Sequence, residues 1–498
     1  MGRLLRHLIL LAGVVTTGWF TWARFGPYDP APWLADLDTL EAHTAAAYAN
    51  LDWQVAQGIV DPAALHQRTD SLIRHATHAG AARRALVEFG RAFHDGHYHV
   101  KRPTPGFVES LERLARGGGM SSRATPDLDG HTACARLGYG TRDRPSLLAS
   151  APGWREVGAG PFQAGLVPLP GGRPAGVLRI QHFGEDGYAG VCEGVWEAFR
   201  TSIPADAACE GECEWRLQHA VAVALLAEQR KAVRALRDAG AELLVVDITR
   251  NGGGTDWVEP AARQLVARPI PGILATGVRH PHTVGPLAER RAVLVRDSAR
   301  SDLRPAQRAM VESALARVDS ALRSARTPCD RSGIWHGALP ESCTVLFAPA
   351  LPNTGVAGWA PDSLLEGLES ADELYWPATY RYEAGVWDGP LVILVDGGTA
   401  SASEGFAAQL RDAGAARVVG SRTFGAGCGY MNGGIPLRLP HSGLQVRMPD
   451  CARLRTDGTN EVAGLAPDVD AGWVEGDDDA ALAAKAVAAI AAAVSSVR

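Results

Sequence analysis

Three short, mainly apolar runs, each closed by turn residues, punctuate the chain after residue 150: Ala175–Ile180 (AGVLRI), Leu243–Ile248 (LLVVDI) and Leu391–Val395 (LVILV). Runs of this length without polar alternation predict strands buried on both faces, as in parallel sheets. Between the first two, His219 to Ala239 carries apolar residues at helical spacing, and a further helix is expected from about Ala402 to Ala413. Strands and helices alternate, so the expected fold class is α/β over residues 151–498. About 257–387 reads as an insertion with its own helical stretch, Ala306 to Arg326. Upstream, helical patterns from Leu51 to Phe93 predict a small helical N-terminal unit over 26–115, and the Gly- and Ser-rich stretch RGGGMSSRATPDLDG predicts a linker or loop within 116–150.

The first 25 residues differ from all of this. Arg3 and Arg6 precede an uncharged run from Leu8 to Ala23 that stops at Arg24, the pattern of a signal peptide or membrane anchor. Either reading puts the rest of the chain outside the cytoplasm, in the periplasm or cell envelope. If the segment stays uncleaved, it gives the protein a membrane contact. The eight cysteines form an even set that suits an oxidising compartment, with Cys329/Cys343 and Cys428/Cys451 as candidate local disulfides. No C-x-x-C pair occurs, which argues against structural zinc. A net charge of −6 on 498 residues, 46% of them hydrophobic, excludes a disordered chain and argues against a nucleic-acid partner. Of 49 basic residues only Lys101, Lys231 and Lys485 are lysines, which limits any lysine-dependent chemistry to three positions.

Four segments carry candidate chemistry. Asp247-Ile-Thr-Arg-Asn-Gly-Gly-Gly254 runs from a strand into glycines that can aim backbone N–H groups at a ligand, as an oxyanion hole requires. No lysine stands near it, so it is no phosphate-binding loop. Gly397-Gly-Thr-Ala-Ser401-Ala-Ser-Glu404 joins a strand to a helix, where a serine hydroxyl meets the positive end of the helix; helix capping would explain the same residues. Phe93-His-Asp-Gly-His97-Tyr-His-Val100 offers a histidine base for such a serine, and Asp129-Gly-His131 is its rival. Three histidines could also hold a metal, but no accompanying ligand pattern supports one. Asn460-Glu461 through Asp468 supplies a carboxylate that could orient a base or a hydroxyl.

In order and wording these segments resemble the tail-specific, or C-terminal processing, serine protease family. DITRNGGG resembles that family's DLRxNxGG, TASASEGFAAQLRDAGAARVVGSRTF its nucleophile segment, and Asn460 to Val469 its closing E-x-x-G-x-x-P-D element. The resemblance implies a Clp-protease/crotonase-like fold, Ser401 as nucleophile, and oxyanion donors at Ala402 N–H and at a glycine of 252–254, Gly253 foremost. The common branch takes its base from a lysine in TFGKG, and here that position holds Ala426. In the tricorn-core-like branch the base is a histidine from an Asp-x-His element ahead of the core, with a downstream glutamate. His97 and Glu461 match those two positions. No recognisable PDZ domain is visible between 100 and 175. The expected activity is hydrolysis of peptide bonds in a protein or peptide substrate without metal or other cofactor. The alternative is a pseudo-protease, a peptide-binding scaffold that has lost the lysine.

Overall fold

The computed structural model describes residues 28–103, 124–327, 329–338, 343–431 and 433–495. The N-terminal segment read as signal or anchor lies outside them. Among the described residues no helix is long and apolar enough to cross a membrane.

Among the described residues, the helices Ala31–Ala47, Leu51–Ala56, Pro62–Arg74 and Ala79–Arg91 come first. Asp61 starts the third, its carboxylate accepting from Ala64 N–H at 3.0 Å with Pro62 in the first turn. These helices bury Leu40, Phe89, Phe93 and Tyr98 together with Trp335 and Val446. The last helix leads through a turn at His94–Tyr98 into a short strand, β1 (His99–Lys101).

The central sheet comprises β2 (Arg155–Glu156), β3 (Ala164–Pro168), β4 (Pro174–Arg179), β5 (Leu243–Asp247), β8 (Leu391–Val395), β9 (Arg417–Gly420) and β13 (Val469–Asp470), with β6 (Leu274–Gly277) and β7 (Leu351–Pro352) outside it. Its order is β13-β9-β8-β5-β4-β3-β2, parallel from β13 to β4 and antiparallel beyond. Side chains alternate between two cores. Leu244, Val246, Ile393 and Val395 face one layer of helices, while Leu243, Val245, Val392 and Leu394 face the C-terminal helix Asp479–Ser495. With both faces covered, every residue of β5 and β8 is buried, which is why both read as apolar runs, interrupted only by Asp247 at the end of β5.

Two smaller sheets frame the central one. β1 pairs antiparallel with β11 (Gln445–Arg447), which also pairs with β10 (Leu437–Arg438); β12 (Cys451–Leu454) pairs with β6, and β6 with β7. Between β6 and β8 the helices Pro281–Ser298 and Pro305–Arg326 pack around Leu294, Val311, Val318 and Tyr375. Residues 130–136, inside the stretch read as linker, form a helix that Asp129 caps through Thr132 N–H. The eight cysteines form four disulfides, Cys134–Cys192, Cys209–Cys213, Cys329–Cys343 and Cys428–Cys451.

β5 and β8 are neighbours and parallel, so the loops after them, 248–254 and 396–401, leave the same edge of the sheet. That carboxyl edge is where α/β sheets bind ligands. Gly254 shows how closely the glycine run is packed there: a Cβ on it would lie 1.9 Å from the carbonyl carbon of Phe183. Gly254→Ala is expected to destabilise the protein by about 3 kcal/mol or more, read as a lowered midpoint in urea unfolding.

Candidate active site

Ser401 stands at the tip of the turn between β8 and the helix Ala402–Asp412, with φ 57° and ψ −119°. A non-glycine residue held there costs on the order of 1–3 kcal/mol, and the surrounding contacts must hold it in place. They are identifiable. Ser401 N–H donates to Glu404 Oε2 at 2.8 Å, Ala400 N–H donates to Asn251 O at 2.9 Å, and Arg453 Nη2 donates to Ser401 O at 2.7 Å. Gly253 packs flush against the turn, since a Cβ on it would lie 2.9 Å from both Ala402 N and Ser401 Cβ.

The glycine run is organised by two buried polar residues. Asp247 accepts from Thr249 N–H and Oγ1, from Ser146 Oγ and Leu147 N–H, and pairs with buried Arg179 at 3.1 Å. Asn251 donates Nδ2–H to Ile180 O at 2.9 Å, which fixes its amide orientation, and its Oδ1 accepts Gly253 N–H at 3.0 Å. The N–H of Gly253, expected as an oxyanion donor, is thus engaged by Asn251 in this structure. Among the described residues, N–H groups left without a partner here include those of Gly252 and Gly254 in the glycine run and of Ala402 at the serine turn.

His97 comes from the N-terminal unit onto the turn at Ala426 and Gly429, which Glu404 ties to Ser401; it makes no hydrogen bond to Ser401 itself. Asp95 Oδ1 accepts His97 N–H at 2.9 Å, while Asp95 Oδ2 accepts from Tyr48 Oη at 2.9 Å and Asn50 Nδ2 at 3.1 Å. Burial, with the Asp95 charge beside it, holds the Tyr48 phenol well above its ordinary range and keeps it a donor. Tyr430 Oη donates to His97 O, and its ring meets the imidazole edge-on. His97 Nδ1 lies 2.9 Å from Ala426 O. A carbonyl only accepts, so Nδ1 is the donor in this contact, and in the neutral imidazole Nε2 is the nitrogen that holds the lone pair.

Glu404 links the two halves. Its buried carboxylate accepts Ser401 N–H and Ala426 N–H (both 2.8 Å) on Oε2, and Thr423 Oγ1 (2.6 Å) and Gly425 N–H (2.7 Å) on Oε1. One carboxylate thus ties the serine turn to the turn whose carbonyl holds His97, at the position where the resembled family carries lysine. The sequence reading gave Glu404 no role, although Ser401-x-x-Glu404 is a capping-box pattern that could have flagged it.

Glu461 is buried, and its ion-pair partner is Arg453, at 2.6 Å; it receives no hydrogen bond from His97. Burial pushes its carboxyl up from the ordinary range and the Arg453 charge opposes this. Its connection to Ser401 therefore runs through Arg453, which nothing in the sequence singled out. His131 lies elsewhere. It is exposed and sits 2.9 Å from Glu193, one turn of helix from the Cys134–Cys192 disulfide.

The model of peptidase family S41 matches residues 226–471, the span from the helix before β5 to β13 that holds the glycine run, Ser401, Glu404 and Glu461. The chain belongs to peptidase family S41. S41 peptidases are serine peptidases, and this chain is accordingly a serine-type hydrolase. No curated protein matches it in sequence. Among solved structures, mature CPAF aligns over 94% of this chain and 98% of its own, at 14% identity and a TM-score of 0.57. CPAF complexed with lactacystin aligns over 94% and 97%, at 14% identity and a TM-score of 0.54. At that identity the likeness shows the fold, an S41 peptidase fold extending over nearly the whole chain, including the N-terminal helices that the family match leaves out.

Proposed function

We propose that this S41 peptidase is exported and hydrolyses peptide bonds with Ser401 as nucleophile and His97 as general base. The observation that carries the reading is the Ala426 carbonyl at His97 Nδ1, which leaves Nε2 the basic nitrogen. Ser401 Oγ attacks the substrate carbonyl and Nε2 takes its proton, then returns it to the leaving amine; water repeats the sequence on the acyl-enzyme. Ala402 N–H receives the oxyanion, and the glycine run supplies a second donor, from Gly252 as it stands or from Gly253 once the oxyanion displaces Asn251 Oδ1. Glu461 acts at a distance, charge-balancing Arg453, which holds Ser401 O. Four disulfides in a chain with no free cysteine among the described residues support an oxidising, extracytoplasmic location.

Labelling with a fluorophosphonate probe tests the assignment. Wild type and His131→Ala are expected to label, and Ser401→Ala and His97→Ala are expected to lose labelling. Labelling that survives Ser401→Ala excludes the serine, and loss with His131→Ala alone moves the base.

A further inference from the structure

Phe424 is the one large apolar side chain in the turn that joins Ser401 to His97, and it points outward. Its neighbours Thr423 and Ala426 are each 4% exposed, whereas Phe424 is 55% exposed. Nor is it loose. Its N–H donates to Thr399 O at 3.0 Å, two residues before Ser401, and Thr423 and Gly425 on either side are both bonded to Glu404. On the far side the ring touches the His97 turn, where a Cβ on Gly96 would sit 2.7 Å from Phe424 Cε1. An aromatic ring is therefore fixed between the Ser401 loop and the His97 turn with just over half of the residue open to solvent. Single exposed apolar residues are ordinary on a protein surface, but this one has a fixed backbone and lies between the loop that carries Ser401 and the turn that carries His97. Phenyl rings offer large contact area at small entropic cost when already immobilised.

Building on the Ser401/His97 reading, we propose that Phe424 is a specificity-determining residue, forming the apolar wall against which a large hydrophobic or aromatic side chain next to the scissile bond packs. The substrate class is thus peptides with such a residue adjacent to the cleaved bond. Gly96 belongs to the same device, because any side chain there would push the ring off its seat.

The test uses the full chain and internally quenched peptides that differ only at the two residues flanking the cleaved bond, carrying phenylalanine, leucine, alanine or serine there. Phe424→Ala is expected to lower kcat/KM about tenfold or more for phenylalanine and leucine peptides, and by less than about threefold for alanine and serine peptides. Phe424→Leu should recover leucine peptides better than phenylalanine ones. An equal loss across the four peptides, or none, overturns the proposal. Ser401→Ala run on the same set keeps the two readings apart, since hydrolysis that survives it rejects the nucleophile and leaves the Phe424 profile to be judged by itself.

Discussion

Replacing His97 with alanine is expected to lower kcat on a peptide substrate by about 10²–10⁴, with KM changed only a fewfold. The split follows from position. The imidazole sits on a carbonyl perch with Nε2 free, so it serves proton transfer in the transition state and contributes little to holding the ground-state substrate. Ala402 N–H and the glycine run remain in the variant, so a residual rate above the uncatalysed reaction should persist. Added imidazole should restore part of the loss by entering the space the side chain vacates, an effect that a purely structural role would not produce. His131→Ala, whose side chain is bonded to Glu193 on the surface, should match wild type. A His97→Ala enzyme retaining more than about a tenth of wild-type kcat would be incompatible with general-base catalysis worth 10²-fold or more and would remove the histidine from the reaction.

The parts of this site that were legible in the sequence are those where chemistry is local. Ser401 was visible because strand, turn and helix follow one another within a dozen residues, and the buried β5 and β8 were visible because a strand covered on both faces writes an almost unbroken apolar run. The helices Glu212–Asp238 and Pro305–Arg326 begin within seven residues of where periodicity placed them. What stayed hidden depends on folding distant segments together. Arg453 gains meaning only when β12 lies beside the serine turn, and Ala426 contributes a carbonyl, which every residue has. Gly253 illustrates a different limit. Its lack of a Cβ is needed for its packing against Ser401, as the glycine run suggested, yet its N–H is taken by Asn251, a side-chain bond that no glycine pattern can signal. The lysine count directs the search for a base to the histidines, and the position it leaves empty, Ala426, contributes its backbone carbonyl to His97.

Glu404 carries the second large expected effect. Its two oxygens each accept two donors, Ser401 N–H and Ala426 N–H on one, Thr423 Oγ1 and Gly425 N–H on the other. Glutamine is nearly isosteric, but whichever way its amide is turned, one pair of donors must face an NH₂ group. No flip satisfies the site, and Glu404→Gln should therefore cost roughly 2–4 kcal/mol, from two buried donors left unpaired. Activity should fall further than stability alone explains. Ser401 is held at φ 57° partly by this carboxylate, and His97 takes its orientation from the carbonyl of the residue whose N–H the same carboxylate fixes. A shift of about 1 Å in either group suffices for a 10²-fold loss, so kcat of the folded variant, measured well below its unfolding midpoint, is expected to drop about 100-fold with KM nearly unchanged. Glu404→Asp keeps four-donor chemistry on a shorter arm and should fall between the two. A Glu404→Gln protein that is less stable but turns over normally while folded would make Glu404 a structural residue only. A loss in kcat without a loss in stability would mean that the donors had found water, and that the carboxylate acts on Ser401 and His97 chiefly through its charge.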